Sequence, residues 1–202
     1  MAIPQTENIT VLQGATFTRV VRWDTGIPVF KAISAIDQVA PAAVSCAAHG
    51  VPSGWPVAIV SVKGMVEINT EDEEKLKSYT PVEPVDADNL ILTFIDASCF
   101  RPYESGGYVK YNEPVDLTGF SARMHIRKTK ASLVPEVTLD DASGDIVLDN
   151  VAKTIKIIIS DTDTAALTIS KGVYDLELVS PSNEVFRIME GSVTVSKETT
   201  KP

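Results

Sequence analysis

A chain of 202 residues, 44% hydrophobic and 22% charged, holds enough apolar material for one large or two small cores, which argues against disorder over most of its length. Its formal net charge of −9 argues against a duplex nucleic-acid binder, which needs a basic face to displace counterions. Runs such as Ile155–Ile159 are far short of the roughly 20 apolar residues of a membrane-spanning helix, and Met1–Asn8 has neither the basic nor the apolar region of a secretory leader.

In chain order, residues 1 to about 9 read as a polar arm. Ile9–Leu12 and Ala15–Trp23 follow as strands, the second alternating Phe17, Arg19, Val21 and Trp23 against Thr16, Thr18, Val20 and Arg22, with Gln13-Gly14 as the turn between them. Asp24–Pro28 ends the second strand. From about Lys31 the texture changes to Ala, Pro and Gly with shorter strands. Val39–Ala47 is a small-residue strand broken by Pro41; Val57–Val62 is a β run turned by Lys63-Gly64. Thr70–Lys77 is charged and fits a short helix or an exposed loop. Asn89–Ile95 is a strand, Asp96–Gly107 is irregular, and Tyr108–Tyr111 leads out.

At Pro114 the first texture returns. Ala122, Met124 and Ile126 alternate with Ser121, Arg123, His125 and Arg127, which predicts a strand with one apolar and one polar face. Ile146–Leu148, Thr154–Ile159, Gly172–Val179, Val185–Met189 and Ser192–Ser196 complete the β pattern. Ser160–Leu167 carries N-cap residues and reads as one helical turn, and Pro181–Asn183 as a hairpin turn.

The C-terminal part offers five strands, and Thr10–Trp23 brings the total to seven short strands with regular turns, the pattern of an immunoglobulin-like β-sandwich, with a barrel as the second choice. The expected fold is therefore all-β and discontinuous: a sandwich from residues 1–30 plus 113–202, with a small β-barrel-like module, residues 31–112, inserted between its second and third strands. Lengthening a surface hairpin in this way costs little loop entropy.

Chemistry-bearing residues are sparse. Cys46 and Cys99 both lie in the insert; two buried thiols are the ordinary expectation in a reducing compartment, and a disulfide stays open. His49-Gly50 reads as turn chemistry, and no histidine–cysteine pair has structural-zinc spacing. Asp140, Asp141, Asp145, Asp149, Asp161 and Asp163 surround turns without the spacing of a calcium loop. No nucleophile elbow, phosphate-binding glycine loop or paired-carboxylate pattern is present, so neither a catalytic residue nor a cofactor is expected. Trp23 is expected in the sandwich core and Trp55 at one end of the module, both also being candidate contact residues. Arg123, His125 and Arg127 form a basic row in an acidic chain; it is either a solvated face or a contact for an acidic neighbour, such as the stretch 71–74 of another copy.

Val115-Asp-Leu-Thr-Gly-Phe-Ser-Ala-Arg-Met-His-Ile-Arg127, Gly172-Val-Tyr-Asp-Leu-Glu-Leu178 and Glu190-Gly-Ser-Val-Thr-Val195 resemble the immunoglobulin-like structural proteins of tailed bacteriophages, and Ile9–Phe17 looks like the first strands of the same family. His49-Gly50, Gly54-Trp55-Pro56-Val57, Gly64-Met65, Glu67-Ile-Asn69 and Gly106-Gly107-Tyr108 are similar to a small β-module of phage virion proteins, itself described as like a domain of ubiquitin-activating enzymes. The resemblance carries no ubiquitin chemistry. It implies a non-enzymatic virion protein of the tail (baseplate, collar or tail tip), made in the host bacterial cytoplasm and acting as repeated copies in a homo-oligomeric ring that dock neighbouring tail proteins or fibres. Neither nucleic-acid binding nor membrane insertion is expected. Head decoration is one alternative; the other is a module binding a host-surface glycan or protein through Trp55, Tyr103 and Tyr108.

Overall fold

The computed structural model describes residues 5–199, and these are almost entirely β. The strands in chain order are β1 (Gln5–Thr6), β2 (Ile9–Leu12), β3 (Phe17–Val21), β4 (Asp24–Ala32), β5 (Ala35–Asp37) and β6 (Ala42–Ser45). Next come β7 (Trp55–Lys63), β8 (Thr80–Pro84), β9 (Asn89–Leu92) and β10 (Ser105–Pro114). The last are β11 (Ser121–Arg127), β12 (Val137–Asp140), β13 (Ile146–Asp149), β14 (Thr154–Ile159), β15 (Lys171–Val179) and β16 (Val185–Ser196), with the short helix α1 (Asp161–Ala166) before β15. Within the expected arm Gln5–Thr6 is a strand and Glu7–Asn8 link it to β2; residues 1–4 and 200–202 lie outside the described residues.

The chain divides into two compact units. One joins the residues up to Trp23 to those from Val115 onward, and the other is Asp24–Pro114. The division falls seven residues before the expected start of the insert, because β4 pairs antiparallel with β10 along most of its length. The nine-residue run Asp24–Ala32 is therefore a strand of the second unit and not the tail of the sandwich strand before it.

The first unit is an immunoglobulin-like sandwich. One sheet has the order β1-β16-β15-β11-β12, with β2 also on β16, and the other has the order β13-β14-β3. In immunoglobulin lettering these are A-G-F-C-C′ facing D-E-B, with the first strand paired in parallel to the last. Strict alternation builds the core. In β11, Ala122, Met124 and Ile126 are buried between exposed or half-buried neighbours, and in β15 Tyr174, Leu176 and Leu178 do the same. These side chains meet Ile155, Ile157 and Ile159 of β14 in one cluster. Trp23 caps it beside Phe120 and Phe186, at ring-centroid distances of 5.9 and 5.3 Å. Ser160 caps α1, its Oγ accepting a hydrogen bond from Asp163 N, as its residue type predicts.

The second unit is one curled sheet of seven strands, order β4-β10-β7-β8-β9-β6-β5, closed over its own core of Val44, Cys46, Trp55, Ile59, Met65, Leu90 and Leu92. Its charged stretch Thr70–Lys77 forms no α-helix. It is an irregular strap ending in a 3-10 turn at Leu76–Ser78, fastened by Lys110, whose ammonium donates to the Glu73 carbonyl at 3.1 Å and to the Glu73 and Glu74 carboxylates. Burial pulls the Lys110 ammonium down, yet the hydrogen bond to Glu73, the field of Tyr79 and the hydrogen bond to Glu74 outweigh it, and the net shift is upward.

Candidate interaction surface

The exposed face of the larger sandwich sheet carries the basic row predicted at Arg123, His125 and Arg127. Strand register sets their neighbours. Asp140, Arg123, Glu177 and Arg187 lie in one line across four strands, and Thr138, His125, Asp175 and Glu190 in the next. Opposite charges alternate along the first line. Arg123 donates through Nε and Nη2 to Glu177 at 2.9 and 2.8 Å, and Arg187 reaches Asp175, Glu177 and Glu190 at 3.3 to 3.5 Å. Arg123 is thus paired within its own sheet, and exposed pairs of this kind contribute little stability. A pocket of ≈ 190 Å³ opens on this face, lined chiefly by His125, Arg127, Lys130, Asp175, Arg187 and Glu190.

Arg127 stays beside His125 on this face, its Nη2 3.4 Å from His125 Nδ1, and also reaches into the adjoining loop. Its Nη1 donates to the carbonyls of Ser132 and Leu133 at 2.9 and 2.7 Å and braces the loop between β11 and β12. Thr129 N donates to Ser132 Oγ, Ser132 N donates to the Thr129 carbonyl at 3.1 Å, and Glu136 N closes the loop on the Ile126 carbonyl. The tip of this ordered loop presents Leu133, 93% exposed, and Val134, 78% exposed. Lys128 and Lys130 stand beside the tip, the latter 3.7 Å from Glu190. Neither tip residue was among the candidates from sequence; the signal is Lys-Thr-Lys followed by Leu-Val-Pro, an apolar pair with no strand alternation around it.

The three rings of the second unit behave differently from one another. Trp55, a candidate contact residue, is 2% exposed, and its Nε1 donates to the Asn112 carbonyl at 3.1 Å, so it offers no ring face to a partner. Tyr103 is half-buried, its hydroxyl shared between the carbonyls of Ile33 and Gly106. Tyr108 is exposed, edge-on to the exposed Phe30 at 6.2 Å across the β4–β10 pair. They do not form a common groove of exposed rings.

The remaining candidates resolve into local architecture. Cys46 is buried and Cys99 exposed, and both thiols are free; burial pushes the Cys46 thiol up. His49 is buried, with Nδ1 accepting from Val51 N at 3.0 Å and Nε2 set 2.8 Å from the Asp86 carbonyl. That arrangement requires a neutral ring with its proton on Nε2. Gly50, at φ +66°, supplies the left-handed residue of this turn. Asp140, Asp141, Asp145, Asp149 and Asp163 accept hydrogen bonds from nearby backbone N–H groups or serine hydroxyls, and among the described residues no group of three or more His, Cys, Asp or Glu is arranged to hold a metal ion. No described helix is long and apolar enough to cross a membrane.

No protein-family model matches the chain, and no curated protein matches it with significant similarity.

Proposed function

We propose that the chain is a non-enzymatic structural protein of the tail of a tailed-bacteriophage particle, where repeated copies dock neighbouring virion proteins or fibres. The observation that carries this reading is where the family-like stretches fall. The end of Val115–Arg127 forms β11, Gly172–Leu178 lies in β15, and Glu190–Val195 lies in β16, three strands adjacent in one sheet of the sandwich. The exposed face of that sheet and the braced loop beside it are suited to protein contacts: a polar, hydrogen-bonded rim around a few apolar side chains. Head decoration uses the same surfaces. Recognition of a host-surface glycan has less support, because only Tyr108 of the three candidate rings is open to solvent.

Cryo-electron microscopy of purified particles of the phage that encodes the chain tests the proposal. Copies traced in the tail, baseplate or collar are expected. Copies spread over the capsid would move the role to head decoration, and absence from the particle would overturn the reading.

A further inference from the structure

Charge is unevenly divided along this acidic chain. From Arg127 to Pro135 there are three basic residues, Arg127, Lys128 and Lys130, and no acidic one. In the second unit, residues 32–62 and 78–100 contain no lysine or arginine but hold five carboxylates, Asp37, Glu83, Asp86, Asp88 and Asp96. The two stretches include β5, β6, β8 and β9, neighbours in the curled sheet.

Register places two of those carboxylates on one outward line. Asp37 pairs with Ala43, Ala43 with Ile91, and Ile91 with Glu83, while the flanking residues Ile36, Val44 and Leu90 on one side and Ala42, Leu92 and Val82 on the other face the core. The result is a shallow face of small and apolar side chains, Ala43 and Ile91, with a carboxylate at each end. Glu83 is also held by the Ser53 hydroxyl, Asp86 accepts from Asp88 N within its own turn, and Asp88 accepts from Ala48 N. The strongly exposed Phe94 sits in the turn that follows β9.

The loop tip is the complement of this face. Leu133 and Val134 are held out into water by a loop whose backbone is tied down, so burying them against an apolar surface favours association. Lys128 and Lys130 precede them in the same loop, Lys130 being largely exposed though 3.7 Å from Glu190, and the face carries Asp37 and Glu83. We infer that the β11–β12 loop tip of one chain docks on the outward β5-β6-β9-β8 face of a second copy, apolar tip on Ala43 and Ile91 and lysines on Asp37 and Glu83. The two surfaces are different, so the contact is heterologous and propagates from copy to copy until a ring closes or a filament grows. A tip and one sheet face bury less than the ~1,200–2,000 Å² of a standard stable interface, so a single contact is weak and repetition holds the assembly. Opposite charge at its rim makes it salt-sensitive.

This inference deepens the proposal of repeated copies and rests on it for its setting, but it is read on the purified chain. Its failure would leave the particle reading standing, and absence from particles would leave the contact standing. The experiment is sedimentation of the full chain from ~10 µM to ~1 mM, the range in which an interface of this size associates, at low and high salt. The average mass is expected to rise with concentration and to fall back at high salt. Leu133→Asp with Val134→Asp, on an exposed tip, is expected to weaken association by about tenfold or more. Lys128→Glu with Lys130→Glu, and separately Asp37→Lys with Glu83→Lys, are each expected to stay monomeric. An equal mixture of those two charge-reversed proteins is expected to associate again, because each then meets a complementary surface. A wild-type chain monomeric at ~1 mM overturns the inference, as does association indifferent to the tip substitutions, or failure of the mixture to associate while both variants keep wild-type thermal unfolding.

Discussion

At His49 the imidazole accepts from one backbone N–H and donates to one backbone carbonyl, while the His49 carbonyl takes the Tyr111 hydroxyl at 2.7 Å. Removing the ring leaves a buried donor and acceptor unpaired. His49→Ala is expected to destabilise the second unit by about 2–3 kcal/mol in denaturant unfolding, whereas Cys99→Ser, at an exposed thiol, should change it by less than ~0.5 kcal/mol. Tyr174 is a second buried polar anchor, its hydroxyl donating to the Glu7 carbonyl at 2.8 Å; burial, and then the Glu7 carboxylate, push its pKa up to about 12 from 10.0. The unfolded chain loses this proton first, so the associated stability is complete below pH 10.0 and is lost as pH rises towards about 12. Tyr174→Phe should flatten that alkaline limb in thermal melts. Asp116 has the opposite sign. Hydrogen bonds from the Thr118 hydroxyl and backbone hold its carboxyl at about 2, so its contribution is present above 3.8 and lost as pH falls towards 2, and Asp116→Asn should flatten the acid limb.

Among the elements, β1 and β2 depend on a close approach that only glycine allows. A Cβ on Gly191 of β16 would lie 1.8 Å from the Glu7 carbonyl oxygen, which is backbone and has nowhere to move. Gly191→Ala is therefore expected to strip the N-terminal strand from the sheet, seen as fast amide exchange of Ile9–Leu12 and the loss of several kcal/mol through the freed core side chains Ile9 and Val11. Elements also mark what the sequence could disclose. The period-two alternation of β11 and β15 is visible because one face is buried and the other wet. Strand β4 is harder to see: it contains Gly26 and Pro28, its residues are mostly exposed, and only pairing with β10 makes it a strand. Strand β8, Thr80–Pro84, holds two prolines and stands as a strand through β7 and β9. Site residues follow the same logic. The basic row was legible as a face, but Glu177, which takes up Arg123, is 54 residues away, and Ser132 and Leu133, which take up Arg127, lie in a loop without periodicity.

For the whole molecule, the hydrogen bond from Val115 N to the Trp23 carbonyl, 3.1 Å long, shows that the sandwich holds the two ends of its interruption side by side. Residues 24–114 can therefore be exchanged for a short glycine-containing turn without stretching β3 or β11. The shortened chain is expected to fold cooperatively, with the slow-exchanging amides of β11, β14 and β15 retained; a molten product would show that the sandwich needs its insert.

Parallel pairing of β2 with β16 has a mechanical consequence. Ile9–Leu12 runs alongside Val193–Ser196 in the same direction, so tension between the two ends of the chain pulls these strands past each other along their length. Their hydrogen bonds are then loaded together in shear, not peeled one after another like a zipper. A protomer anchored at one terminus and pulled from the other would resist extension until the whole β2–β16 ladder gave way at once.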